Sequence, residues 1–348
     1  MDDIYNKITE LVKNNILDVD DNFVKFSDSG YDTVKFDKNN FSNIENIKSD
    51  NKIAFIDGGS SEILKSSNFS LNLIRIYYAV YFKNKRIKSG KNDFYSFTCA
   101  KNVNNEIYFD TEIIGIKNNI ISKEGLLLSS LDETIKQGIT RANISNMANL
   151  VRRFSEIKTA AKVVESLDEN DIIVLDGSLQ CTFTNEKKYL EELYENALRN
   201  KVIVCGLSKT TALMTDKGNS ITSALNKFNF DGKWAYHPVA DIKNENHQAD
   251  IAFVKFHEKS KYMFRFEIFR KQKERIKDAI NLISGNCKDP VFIGYPYGLI
   301  EADRSARISN NEKEMMLTFF SIKFGKEWEK IKDSLSSVDA HEILDSIG

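Results

Sequence analysis

The chain has 348 residues, 41% of them hydrophobic, 28% charged and 11% aromatic, with a formal net charge of −1. Those values describe a globular protein and exclude a disordered one. They also exclude an overall basic field, so any nucleic-acid-binding surface has to be local. The four cysteines (Cys99, Cys181, Cys205, Cys287) lack CxxC spacing, which argues against a zinc ribbon and for a reduced, cytoplasmic chain. The N-terminal MDDIYNKITELVKNN is charged and amphipathic, unlike a secretory signal. No apolar run approaches the ~18 residues of a membrane span.

In chain order, Ile4, Ile8, Leu11, Val12 and Ile16 recur at helical spacing. Residues 21–50 are polar, rich in Asn and Asp, and read as a loop-dominated segment. KIAFIDGG, LNLIRIYYAVYFKNKR and NEIYFDTEIIGI then predict an antiparallel meander over 51–120. A long helix follows, its stripe running through Met147, Leu150, Val151, Phe154, Ile157, Ala161, Val164 and Leu167. Strand DIIVLDG, helix EKKYLEELYENALRN and strand KVIVCGLSK make a right-handed β-α-β unit with a parallel pair. A hairpin is expected at 250–270 around Lys259-Ser260, a helix near 271–285, a last strand at PVFIGYPYG, and a charged helical tail over 310–335. The class is α/β: a ribonuclease-H-like mixed sheet with flanking helices, an order the actin-like fold shares.

Two buried-type strands run into a carboxylate followed by glycine: IAFIDGG at Asp57 and IIVLDG at Asp176. Asp-Gly is ordinary turn chemistry, but carboxyl ends of strands are where open α/β sheets place their sites, and the repetition favours function. Glu156 lies on the long helix, where it is expected to point over the sheet edge; an ordinary solvated glutamate is its plain alternative. Carboxylates ~4 Å apart repel by about 4 kcal/mol per pair at an effective dielectric near 20, so such a cluster holds protons or binds a cation. Oxygen ligands point to Mg²⁺ or Mn²⁺ rather than zinc. The four histidines lack ligand spacing and read as surface or strand residues. GLSKTTAL lacks P-loop spacing, though its Lys209 could offset phosphate charge. GYPYGLIEADRSARIS crowds Tyr295, Tyr297, Asp303, Arg304 and Arg307 into one short segment.

Read together, FIDGGSS, RRFSEIKTA, IVLDGSL, VCGLSKT and GYPYGLIEADRSARIS resemble, in order and spacing, the NurA nuclease family over roughly residues 50–310. The resemblance implies a nuclease domain over 51–310, between an N-terminal helix and polar segment (1–50) and a helical tail (311–348). The stretch between Asp57 and Glu156 is long for the family, which predicts an insertion near 85–135. The implied activity is divalent-metal-dependent DNA cleavage, 5′→3′ exonucleolytic and endonucleolytic on single strands, with two Mn²⁺ or Mg²⁺ ions. The implied partners are DNA, a HerA-type hexameric ATPase and a second copy of the chain, in DNA end resection and repair or in phage defence. By the same resemblance Asp57, Glu156 and Asp176 match the metal ligands and Tyr295 the family tyrosine. Asp303 stands where the family commonly has histidine, making a fourth carboxylate ligand and removing an imidazole. Lys209, Arg153 and Arg304 are the residues expected to meet phosphate, and Tyr295 to position the scissile strand or stack on a base. Two alternatives stay open: an actin-like ATPase or kinase, and a non-catalytic adaptor of a HerA-type ATPase.

Overall fold

The structure, a computed structural model, describes residues 2–17, 21–115 and 121–336. It opens on α1 (Asp2–Leu17), the helix that the early apolar spacing predicts. Ile4, Tyr5, Ile8, Leu11 and Val12 on it all stay at least half exposed. The following polar segment, expected as loop, contributes β1 (Val24–Lys25), β2 (Tyr31–Thr33) and β3 (Phe41–Asn43). The segment is mostly loop, as expected, and its short strands form because Val24 and Phe41 are buried with Trp234 and Tyr236 in a core of their own; such isolated anchors carry no period.

The meander follows as β4 (Lys52–Ser66), β5 (Phe69–Phe82), β6 (Lys85–Val103), β7 (Glu106–Gly115) and β8 (Leu127–Ser129). The insertion expected near 85–135 is therefore largely sheet, held by buried Phe94, Phe109 and Ile113. Next come α2 (Asn146–Val164), β9 (Ile172–Asp176), α3 (Lys187–Asn200) and β10 (Ile203–Ser208). Beyond them lie β11 (Met214–Thr215), α4 (Ile221–Asn226), β12 (Trp234–Tyr236), β13 (Ala240–Ile242), and the hairpin β14 (Ala249–Lys255) with β15 (Phe264–Phe269). The chain then forms α5 (Ile276–Ser284), α6 (Tyr297–Ala306), α7 (Asn310–Phe324) and α8 (Trp328–Ser336).

Eleven strands make one mixed sheet in the order β3-β12-β14-β15-β10-β9-β4-β5-β6-β7-β8. Among the described residues only β9 pairs in parallel, with β4 on one side and β10 on the other. Alternation divides the residues of these central strands between two cores. Ala54, Ile56, Ile173 and Leu175 pack under α2 and α3. Ile53, Phe55, Ile172 and Val174 pack under α5 and α6.

The last strand expected at PVFIGYPYG does not form. Pro290–Phe292 is a short 3-10 turn, Gly294 has φ +91°, and Pro296 is the N-cap of α6. Neither proline can donate to a ladder, so the apolar run becomes a connector and GYPYGLIEADRSARIS, expected as a turn, is mostly helix. After α6 a capping box between Ser309 and Glu312 starts α7. Arg75, buried on β5, binds Asp93, Glu312 and the Arg307 carbonyl, pinning the α6–α7 junction to the sheet.

Candidate active site

The Asp-Gly dipeptide that recurs in the sequence does different work at its two positions. Asp57 is not at a strand end as expected: β4 runs on nine residues beyond it, to Ser66. Gly58 and Gly59 are needed for close approach, not for a turn. A Cβ on Gly58 would lie 2.6 Å from Glu156 Oε1, and one on Gly59 would strike the carbonyl of Ala306 at the end of α6. Asp176 does end its strand, and Gly177 turns the chain away with φ +108°, a conformation that costs glycine nothing.

Asp57 and Asp176 are neighbours across the parallel β4–β9 pair and share the face that packs under α6. Helix α6 adds Asp303. One carboxylate oxygen from each of the three lies within 4.8 Å of the other two. Lys209, on the loop after β10, donates to Asp176 Oδ2 at 2.7 Å and to Asp303 Oδ1 at 3.1 Å. Arg307 reaches Asp303 Oδ2 at 3.3 Å. Among the described residues Asp57 has only the Gly58 amide as a hydrogen-bond donor, at 2.7 Å. Burial, then the charges of Asp176 and Glu156, push its carboxyl up to about 8. Burial pulls the Lys209 ammonium down, but its two carboxylate partners outweigh that and leave it above its ordinary value.

The remaining expected residues divide. Glu156 is buried and does not join the trio; α2 brings it to the opposite face of the sheet, beside Gly58. It is therefore neither over the sheet edge, as expected, nor the solvated glutamate of the alternative. There Arg152 binds both its carboxylate and the Gly58 carbonyl. Burial raises the Glu156 pKa, and the attraction of Arg152 and Arg153 does not cancel the rise. Tyr295 is fully buried, its ring packed between Phe264 and Phe292 and its hydroxyl 3.4 Å from Asp176 Oδ1. It can orient Asp176 but has no open face for a base. Arg153 is also enclosed, donating to Glu186 Oε1 at 2.8 Å and to the Ser178 carbonyl at 2.6 Å. It ties α2 to the loop after Asp176, instead of standing free for phosphate. Arg304 is exposed and has no ion pair or hydrogen bond among the described residues.

Sequence reasoning missed a second buried carboxylate nearby. Glu267 on β15 accepts from the Leu179 amide at 2.7 Å and contacts His247 Nε2 at 3.0 Å. Arg265 Nε lies 2.6 Å away, an ion pair not aligned as a hydrogen bond. His247, expected at the surface or in a strand, is instead fully buried outside any strand. The available signal was RFEIF, where Arg265 and Glu267 alternate onto one face of an otherwise apolar strand.

The donor set suits a hard divalent cation. Two oxygens bound to one octahedral ion at ~2.1 Å lie at most ~4.2 Å apart, so the trio needs only small side-chain rotations to close. The Lys209 ammonium already occupies the role of cation between two of its members. A histidine or cysteine, which zinc would favour, is absent from the trio.

The model of the NurA domain matches residues 51–308. No curated protein sequence matches the chain. Among solved structures, the NurA nuclease from Sulfolobus solfataricus superposes with a TM-score of 0.52 at 14% identity, over 94% of each chain. A Ciona intestinalis Endonuclease V in complex with DNA gives 0.39 at 11% identity, over 76% of this chain and 87% of that one. The catalytic domain of human Endonuclease V gives 0.36 at 10%, over 90% and 97%. The family match runs from the strand that carries Asp57 through the helix that carries Asp303, and it displaces the actin-like alternative: this chain belongs to the NurA family.

Proposed function

We propose that the protein is a divalent-metal-dependent DNA nuclease whose metal centre is built on Asp57, Asp176 and Asp303, with Glu156 behind it on the other face of the sheet. The observation that carries this reading is the convergence of those three carboxylates, from three distant parts of the chain, within 4.8 Å. A cation resolves what is otherwise an unfavourable cluster of like charges. Mn²⁺ or Mg²⁺, as one ion or two, would supply Lewis-acid charge on a phosphodiester and lower the pKa of a water.

The chain's own residues would do the rest. Asp57 gives up its proton on ion binding, since a nearby positive charge favours the carboxylate. Lys209, relieved of its carboxylates by the ion, becomes available to a non-bridging phosphate oxygen. Arg307, largely exposed and one turn from Asp303, is a second cation at the mouth. Tyr295 and the Gly177 turn hold Asp176 in place.

The finer reading rests on family membership. It comprises 5′→3′ exonuclease and single-strand endonuclease activity, a homodimer, and work beside a HerA-type ATPase in end processing for repair or phage defence. A partner that grips DNA makes a net charge of −1 workable for a DNA enzyme. The solvent-facing apolar stripe of α1 is the surface assigned to that partner. No helix among the described residues is long and apolar enough to cross a membrane.

Labelled single- and double-stranded DNA, incubated with Mn²⁺, Mg²⁺ or EDTA, tests the proposal. Cleavage should require the ion, and Asp57→Ala or Asp176→Ala should lower it at least about a hundredfold, because the ion's charge is worth several kcal/mol. Undiminished cleavage in both variants contradicts the assignment. A folded wild-type protein that never cleaves but binds the ATPase would make it an adaptor.

A further inference from the structure

Tyr295 cannot stack on a base, but two residues further on the chain offers a ring that can. Tyr297, in the first turn of α6, is 38% exposed. Its ring meets that of Tyr81 edge to face, with centroids 6.2 Å apart, which fixes it without covering it. Tyr297, Glu301 and Arg304 follow one another at three and four residues along one side of α6. Together with Tyr81, Asn84 and Arg86 from the β5–β6 hairpin they line a groove of about 580 Å³.

The charges in this groove do not cancel. Glu301 is already engaged by the hydroxyls of Tyr77 and Tyr81 and by Arg86. Arg304 is left as an uncompensated cation, seven residues and ~10 Å along the helix from Tyr297. Asp303 immediately precedes Arg304 and belongs to the acidic trio, so the groove and the trio lie on two sides of one helix.

We propose that the groove is a subsite for one nucleotide of a single-stranded DNA substrate, with its base stacked on Tyr297 and its phosphate on Arg304. A planar aromatic held at a fixed angle beside an unpaired guanidinium is the pairing that such strands require, a π-face for the base and a positive charge for the backbone. The inference rests on the nuclease reading above and adds to it where the strand leaves the acidic cluster.

Fluorescence anisotropy with a labelled oligothymidylate, in EDTA so that nothing is cut, tests it on the full chain. Tyr297→Leu, which keeps apolar packing on Tyr81 but removes the ring, should raise the Kd at least about fivefold, the low end of a base–aromatic stack. Tyr297→Phe should bind like wild type. Arg304→Ala should also weaken binding and reduce the slope of log K against log salt by about 0.7, one phosphate contact on a single strand. With Mn²⁺ present, Tyr297→Leu should raise KM and leave kcat unchanged. Binding by Tyr297→Leu and Arg304→Ala within twofold of wild type, alongside Asp57-dependent cleavage, overturns the subsite alone. A wild-type chain that neither binds nor cleaves DNA overturns the nuclease reading beneath it.

Discussion

Asp57 and Glu267 are both buried carboxylates on the central sheet, yet they respond to burial in opposite directions. Asp57 faces two other carboxylates and receives one amide, and its pKa climbs to about 8. Burial acts on Glu267 too, but Arg265, His247 and the Leu179 amide override it and take its pKa down to about 2. One cluster is balanced in charge and ties β15 to the segments that carry Leu179 and His247. The other is left short of positive charge, which is the condition of a group waiting for a ligand. Burial alone does not separate a structural carboxylate from a functional one; the charge balance around it does.

Removing a member of the balanced cluster should have the largest effect. Glu267→Ala leaves the fully buried His247 and the partly buried Arg265 without their carboxylate, and should cost about 3–5 kcal/mol in a denaturant titration. Asp57→Ala in metal-free protein removes a carboxyl that its acidic neighbours keep protonated and should cost far less; equal losses would erase the distinction. Next in size is the ion itself. Mn²⁺ at about a hundred times its Kd should stabilise wild-type protein by about 2.7 kcal/mol and stabilise Asp57→Asn little, read as a shift in thermal midpoint.

The pH dependence should then run in opposite senses. Asp57 is raised from its ordinary 3.8 to about 8, so its contribution is fully present below about pH 4 and is lost as pH climbs toward 8. Glu267 is lowered from 4.5 to about 2, so its contribution is present above about pH 4.5 and is lost as pH falls toward 2. Thermal scans in EDTA from pH 4 to 8 should show a decline that Asp57→Asn flattens. An unchanged slope in that variant would remove Asp57 as its source. The smallest effect belongs to a site outside both clusters: Ser309→Ala, which breaks the α7 capping box, should cost about 1 kcal/mol at every pH, with or without metal.

The sequence disclosed most where a period or a motif was present. The meander, α2 and the β9–α3–β10 unit were legible because each is apolar at its own spacing, and Asp57 and Asp176 because each follows a run of buried apolar residues. Four things stayed hidden for physical reasons. The length of β4 past Asp57 was masked by Gly58-Gly59, which read as a turn until α2 and α6 are seen to crowd them. The run at 290–297 is apolar like a strand, yet its prolines prevent pairing. The side-chain directions of Tyr295 and Tyr297 depend on where α6 begins, so the buried and the exposed ring could not be told apart. Glu267 and His247 meet only through tertiary pairing, from residues 20 apart; RFEIF sets Arg265 and Glu267 on one face, but nothing local points to His247.

The most direct test is a crystal soaked in Mn²⁺ and measured at the manganese absorption edge. An anomalous peak within coordination distance of Asp57, Asp176 and Asp303, absent from Asp57→Asn crystals, is the result expected. A well-ordered site that takes up no ion at millimolar Mn²⁺, in protein that nonetheless cleaves DNA, would contradict the account.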